Sequence, residues 1–190
     1  MQRGSSLQAE IVLSRADRFD DFSSFHCGVK EMDSFIHNGL QQSVDNHFCT
    51  LYKATIAREI VALFALSCDS LYLDSDDKED LKAISGDYMV DDYADVFWNK
   101  HHYPAIEIAY LAVSEKMRGK QIGAFIVEQI VEMASSQTLA GCMFLTVEAL
   151  TDRQSSYNAV GFYYKQHFTA CEYPNPAKST LRMFRPLYQG

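Results

Sequence analysis

One stretch of the chain, Ala105–Ala134, restricts the fold more than any other part of the sequence. Ala105–Val113 is a nearly continuous apolar run broken only by Glu107, as expected of a strand buried on both faces. A glycine-bearing loop follows, and apolar residues then recur at helical spacing over Ile122–Ala134. The stretch therefore predicts a strand, a loop and a helix in succession, as in an α/β domain.

Apolar and β-branched runs predict further elements on both sides of this stretch. An edge strand is expected at Glu10–Leu13, a helix from Val29 to Leu40, a hairpin of His47–Ala57 with Ile60–Leu73, a strand at Cys142–Val147, and a closing hairpin of Phe162–Phe168 with Leu181–Leu187. The acidic, irregular segment 74–102 is interpreted as an insertion, because it carries aromatic residues that a linker seldom has. The length of 190 residues then predicts one domain, 1–190.

Charge and cysteine content limit the class of protein. The net charge of −8 weighs against a broadly basic nucleic-acid surface, although 17 Lys and Arg residues leave a local basic patch open. The five cysteines are far apart, without zinc-ligand spacing, and predict free, mostly buried thiols and no metal. No stretch approaches the ~20 apolar residues that span a bilayer. We therefore expect a cytoplasmic protein without a membrane partner.

The loop that opens the helix predicts a diphosphate site. Backbone N–H groups at a helix N-terminus lack intrahelical partners and lie at the positive end of the helix dipole. The residues expected to hold the diphosphate are Arg118, Gly119, Lys120, Gln121, Ile122, Gly123 and Ala124. Neither a P-loop nor a G-x-G-x-x-G sequence is present, which argues against those nucleotide sites. The alternative is a plain glycine turn between a strand and a helix.

This segment resembles the pyrophosphate loop of the GNAT superfamily of acyl-CoA N-acyltransferases, which reads Arg/Gln-x-x-Gly-x-Gly/Ala after the fourth strand. Arg118, Gly123 and Ala124 match that pattern, and Gln121 stands where its first glycine usually is. The resemblance implies an α/β (α+β) fold with a mixed, mostly antiparallel sheet of six or seven strands flanked by helices. It also implies acetyl-CoA as co-substrate. The pantetheine arm would enter between the fourth and fifth strands and bond to the backbone of Leu111, Ala112 and Val113.

Two residues are candidates for proton transfer. Tyr157 opens a Tyr-x-x-x-Gly-Phe block that resembles the GNAT block whose tyrosine lies beside the coenzyme sulfur, and a hydroxyl of pKa about 10 can protonate a departing thiolate. Glu107 is an acid in an apolar strand, where burial would raise its pKa, and it resembles the general base of histone-type members. The alternatives are packing for Tyr157, and solvent exposure or pairing with a cation for Glu107.

These features imply an N-acetyltransferase in which an amine attacks acetyl-CoA directly in a ternary complex. The acidic composition favours a small-molecule or protein amine as acceptor. However, the segments Phe25–Val29 and Met32–Ile36, with Val147–Leu150, resemble toxin-like GNAT members, which acetylate aminoacyl-tRNA and are neutralised by an antitoxin. Gln121, together with Leu150 in place of a usual asparagine, keeps a non-catalytic coenzyme-binding protein as a third hypothesis. A homodimer also stays open.

Overall fold

The fold is built on one sheet with helices on both faces. The computed structural model describes residues 10–18, 20–79, 97, 99–136, 139–151, 158–171 and 178–187. The strands are β1 Val12–Arg15, β2 Thr50–Ile56, β3 Glu59–Tyr72, β4 His102–Val113, β5 Phe144–Leu150, β6 Thr169–Ala170 and β7 Thr180–Pro186. The helices are α1 Lys30–Asn38, α2 Leu40–Asp45, α3 Ile122–Ser136 and α4 Val160–Lys165, with a 3₁₀ turn at Glu115–Met117 and a helical turn at 75–79.

The seven strands follow the order β1-β2-β3-β4-β5-β7-β6. β4 and β5 run parallel, and every other neighbouring pair is antiparallel. This confirms the expected mixed, mostly antiparallel sheet of six or seven strands. The parallel pair requires a crossover, and the crossover is the loop and helix α3 that the apolar pattern after Val113 predicts.

The β2–β3 hairpin turns at Ala57 and Arg58, one residue earlier than the sequence pattern suggests. Both residues have positive φ, 49° and 72°. Two central residues with φ above zero form the turn whose twist matches that of the flanking strands. The hairpin itself is confirmed, and its long second strand, β3, pairs with β4.

Helices cover the two faces of the sheet unequally. Helix α3 packs Ile126, Val127 and Ile130 onto one face, all of them fully buried in the main core. Helices α1 and α2 cover the other face through Ile36 and Leu40. The predicted single helix from Val29 to Leu40 is interrupted at Gly39, whose φ of −121° departs from the helical value, and α2 begins at Leu40.

The segment predicted as the first strand of the closing hairpin, Phe162–Phe168, is instead mostly helix α4 and its final turn. Tyr163 is buried and its N–H bonds to the carbonyl of Ala159, so the apolar residues follow helical spacing and not alternation. The closing hairpin is formed by β6 and β7, starting at Thr169. The prediction was wrong because short aromatic runs fit both periods.

The expected insertion, 74–102, lies largely outside the described residues. Its described ends pack together, since Leu73, Phe97 and Tyr103 share a buried cluster with Phe144. The Tyr103 hydroxyl also lies within hydrogen-bond distance of the carbonyls of Phe97 and Lys100. One domain spanning 1–190 stays a prediction.

Candidate functional site

The two central parallel strands separate near the middle of the sheet. β4 and β5 pair only at Ala105 with Phe144, Ile106 with Leu145, and Glu107 with Thr146. Beyond these pairs β4 continues to Val113 and β5 to Leu150 without bonding to each other. The strands therefore leave a gap whose sides carry backbone N–H and C=O groups with no partner across the sheet.

A β-bulge in β4 lies where this gap begins. Leu66 of β3 pairs with Ile108 and Ala65 pairs with Tyr110, so Ala109 is the extra residue. A bulge bends its strand and increases the local twist. It also changes the alternation, so that Ile108 and Leu111 both pack in the main core, on the α3 side. We attribute the separation of β4 from β5 to this bend.

A cavity of about 570 Å³ occupies the gap and is lined by residues from both faces of the sheet. Its wall on the α3 side includes Ile108, Leu111, Ile122, Ala159 and Phe162, and its wall on the α1 side includes Cys27, Val29, Met32, Tyr110 and Glu148. A long, flexible ligand can therefore pass between the strands and meet a second molecule on the opposite face.

The N-terminus of helix α3 forms one end of the cavity. Gly119, Gln121, Ile122, Gly123 and Ala124 all line it. Among the described residues, no group accepts a hydrogen bond from the backbone N–H groups of 119–124; the first such bond in this helix runs from Phe125 to the carbonyl of Gln121. Free N–H groups together with the helix dipole form a site for an anion such as a diphosphate.

Two residues of this loop have left-handed backbone conformations. Gly119 has φ of 74° and Gln121 has φ of 62°. Glycine adopts that region freely, whereas a residue with a Cβ is strained there by about 1–2 kcal/mol. Gln121 thus keeps the backbone conformation that a glycine would have, so its presence changes the exposed side chain and not the path of the chain.

The loop before α3 is attached to the turn before α1. The Arg118 guanidinium donates to the carbonyl of Cys27, and the Glu115 N–H donates to the carbonyl of His26 at 3.0 Å. Asp33 of α1 holds the turn from the other side, accepting the N–H of Cys27 at 2.7 Å and that of Gly28 at 3.0 Å. Burial alone would raise the pKa of Asp33, but these two hydrogen bonds, together with the Cys27 side chain and the nearby His26, outweigh burial and lower it.

A polar network lies on the α1 face of the sheet below the gap. Asp69 accepts hydrogen bonds from Thr146 and from Arg182, the latter at 2.7 Å. Glu148 accepts from Thr180 at 2.9 Å and from Arg182 at 3.4 Å. Arg182 thereby compensates two carboxylates, and Glu148 still lines the cavity with a side chain 42% exposed.

Of the two residues predicted to transfer protons, the structure describes Glu107 but not Tyr157. Glu107 is half-buried at the last paired position of β4, and its Oε2 accepts a hydrogen bond from the Ser67 hydroxyl at 2.9 Å. The cavity lining begins at the next residue, Ile108. Tyr157 lies outside the described residues. Ala159 does line the cavity, and its N–H donates to the carbonyl of Leu150 at 2.9 Å.

The structure brings the other predicted residues together. Leu111, Ala112, Val113, Arg118, Gly119, Gln121, Ile122, Gly123 and Ala124 line one cavity. Lys120 is not part of the lining, but its Nζ is 3.3 Å from the sulfur of Met117, which is. The sequence reasoning missed the wall formed by Val29, Met32 and Tyr110, because those residues read as ordinary packing.

The described part of the chain contains no cluster of three or more His, Cys, Asp or Glu side chains that could hold a metal ion. Its helices include none long and apolar enough to cross a membrane.

A family model matches part of the sequence. The sequence model of the acetyltransferase (GNAT) family matches residues 88–168. No curated protein matches the chain in sequence.

Several similar solved structures are described as toxins. One, described as a bacterial toxin, is 16% identical with a TM-score of 0.69, over 93% of this chain and 90% of that one. AtaT complexed with acetyl-methionyl-tRNAfMet is 19% identical with a TM-score of 0.67, over 93% and 94% of the two chains. AtaTR bound with acetyl-CoA is 18% identical with a TM-score of 0.67, over 94% and 95%. At these identities the likeness shows the fold.

The thiol of Cys27 gives a prediction. Burial raises its pKa to about 11, whereas Cys68 is exposed. Because alkylation requires the thiolate and access, we expect iodoacetamide at pH 8 to label Cys68 first and Cys27 at least about a hundredfold more slowly. Peptide mass spectrometry over time measures both, and the Cys68→Ser variant serves as control. Equal labelling rates would contradict the buried position of Cys27.

Proposed function

We propose that the chain is a member of the GNAT superfamily, because the family model matches residues 88–168 and the sheet has the mixed strand order expected of that fold. We propose further that it transfers the acetyl group of acetyl-CoA to an amine acceptor. The observation that carries this proposal is the cavity, which passes through the gap between β4 and β5 and ends at the free N–H groups of α3. Such a site fits a ligand with a diphosphate at one end and a reactive thioester at the other.

Each part of the coenzyme meets a matching part of the cavity. The pyrophosphate is placed at the N-terminus of α3, where free N–H groups and Arg118 offer donors and positive charge. The pantetheine arm is placed along Leu111, Ala112 and Val113, because its amides can bond to the backbone that β5 leaves without a partner. The acetyl group then lies toward the α1 side of the gap.

The proposed chemistry needs no covalent enzyme intermediate. The neutral amine attacks the thioester carbonyl, a carbon–nitrogen bond forms, and the carbon–sulfur bond breaks as the thiolate leaves. Glu107 takes the amine proton through a water, because the cavity begins one residue beyond it, and Tyr157 protonates the thiolate. Holding the two reactants in line contributes several kcal/mol, about 7 or more in the best cases.

For the acceptor, we propose the amine of an aminoacyl-tRNA, with an antitoxin as regulatory partner. AtaT, which shares this fold, is complexed with acetyl-methionyl-tRNAfMet, and a related structure contains the C-terminus of the antitoxin AtaR. Exposed Lys116, Lys120 and Lys165 provide a local basic area near the cavity. The net charge of −8 favours the alternative, a small-molecule or protein amine.

The non-catalytic hypothesis has weaker support after the geometry is considered. Gln121 adopts the left-handed backbone conformation that a glycine would have at this position. The free N–H groups of α3 therefore keep the orientation that a glycine-containing loop would give them. Leu150 lines the cavity with an apolar side chain, which removes one polar contact to the pantetheine arm but does not close the gap. A cytoplasmic location and a homodimer stay predictions.

Replacing Gly123 tests the coenzyme site. Gly123→Glu would place a carboxylate in the first turn of α3, and an added Cβ would already lie 3.3 Å from the Phe162 ring. We expect the Kd for acetyl-CoA to rise about a hundredfold or more, from like-charge repulsion with the diphosphate. Calorimetry measures the Kd directly.

Gly141→Glu is the matched control, since nothing lies within 4 Å of a Cβ there, and it should bind like the unsubstituted protein. Unchanged affinity in the Gly123 variant would place the diphosphate elsewhere.

Removing one hydroxyl tests the proposed acid. Tyr157→Phe retains the ring but loses the proton donor, so we expect kcat to fall about 10²-fold with the Kd for acetyl-CoA within twofold. Thiol release in the presence of acceptor measures kcat. Tyr164→Phe, on the exposed side of α4, is the control. A variant with full turnover would show that Tyr157 only packs.

The acceptor is tested with charged tRNA. We expect the protein to acetylate the amine of an aminoacyl-tRNA, and binding to weaken steeply with salt, because each neutralised phosphate releases counterions. Mass spectrometry of the nuclease-released aminoacyl end detects the product, and growth after induction without antitoxin reports arrest. Turnover of free amines or peptides, with no acetylated tRNA, would favour the alternative acceptor.

A further inference from the structure

The turn before α1 is held by a carboxylate that the proposed reaction does not use. Asp33 accepts hydrogen bonds from the N–H groups of Cys27 and Gly28, and we call residues 26–28, held in this way, the Cys27–Gly28 turn. Gly28 has φ of 76°, a conformation that a side chain strains. The carboxylate therefore helps to hold a turn that contains a left-handed residue.

The Cys27–Gly28 turn lies directly against the loop before α3. A Cβ on Gly28 would be 3.1 Å from the Glu115 side chain and 3.3 Å from that of Arg118. The carbonyls of the turn face this loop, where they accept the Glu115 N–H and the Arg118 guanidinium. Two segments that are distant in the chain are thus joined by one backbone–backbone bond and by one bond from a guanidinium to a carbonyl.

Arg118 connects this contact to the anion site. It is the residue just before Gly119, and the chain then passes through the left-handed Gln121 into α3. A strained loop conformation persists only where its surroundings determine it. The carbonyl of Cys27 is such a determinant, because it restrains the guanidinium that begins the loop.

We propose that Asp33 is a positioning residue for the diphosphate site and acts through the Cys27–Gly28 turn on Arg118 and the loop at 118–124. The inference rests on the proposed function, since it assumes that coenzyme A binds there. Asp33 does not line the cavity itself, so its effect on binding has to pass through the turn.

Asparagine cannot replace the carboxylate at this position. Both oxygens of Asp33 accept a backbone N–H, whereas an asparagine side chain offers one acceptor and one NH₂ donor. In Asp33→Asn, the side-chain NH₂ would therefore face the backbone N–H of either Cys27 or Gly28, and two donors would meet with no acceptor between them. Glu31→Gln removes one charge from the same helix at an exposed residue, and is the matched control.

Calorimetry with coenzyme A at a temperature well below melting tests the proposal. For Asp33→Asn we expect the Kd to rise about tenfold, as the loss of a hydrogen bond to a charged group would give, while kcat at saturating acetyl-CoA stays within twofold. Glu31→Gln should leave both unchanged. A lower melting temperature with unchanged Kd would show that Asp33 is only structural and would overturn the proposal.

A double-mutant cycle with Arg118→Met checks the route. If Asp33 acts through Arg118, the two substitutions together raise the Kd by less than the product of their separate effects; full additivity would contradict the route. Should Asp33→Asn not fold, Asp33→Glu, which keeps two acceptors on a longer arm, is expected to raise the Kd in the same direction. Absence of binding by the unsubstituted protein would instead contradict the proposed function.

Discussion

The separation of β4 from β5 after Glu107 and Thr146 is the constraint on which the site depends. Each strand past that point keeps a hydrogen-bonded neighbour on its outer side, β3 or β7, but lacks one across the gap. Buried backbone groups without partners are costly, so the gap favours water or a ligand that offers its own amides. The bulge at Ala109 maintains the gap, because two strands that bend apart cannot resume pairing. The hydrophobic clusters on the two faces of the sheet pack against each strand and hold it in place without bonds across the gap.

Much of the fold follows from local sequence patterns. The β2–β3 hairpin, the buried run of β4 and the helical spacing of α3 each depend on a pattern of contiguous residues, and the structure confirms each of them. Elements that depend on tertiary contacts were harder to predict. Helix α4 replaced an expected strand because Tyr163 packs in the core beside Ala159, and no local pattern in an aromatic run distinguishes the two periods. The bulge at Ala109 depends on pairing with β3, which a single strand's sequence does not contain.

The cavity likewise has one part that the sequence predicted and one part that it did not. Its contiguous half, 111–113 and 118–124, could be predicted because a strand, a loop and a helix N-terminus place neighbouring residues around one ligand. The opposite wall comes from Val29, Met32 and Tyr110, which are distant in sequence and apolar like any core residue. A signal for this wall was present in the Cys27-Gly28 and Asp33 spacing. The physical basis of that spacing is a carboxylate that accepts two backbone N–H groups. The sequence does not contain this information, because it depends on the position of α1 beside the loop.

The strain at Gln121 shows how these parts support one another. A left-handed glutamine costs about 1–2 kcal/mol, and a helix N-terminus with unbonded N–H groups gains nothing from its own chain. The loop is restrained at Arg118 by the carbonyl of Cys27 and, through the turn, by Asp33. The protein thus holds in advance the arrangement of donors that an anion requires, and the anion needs to supply less ordering free energy when it binds.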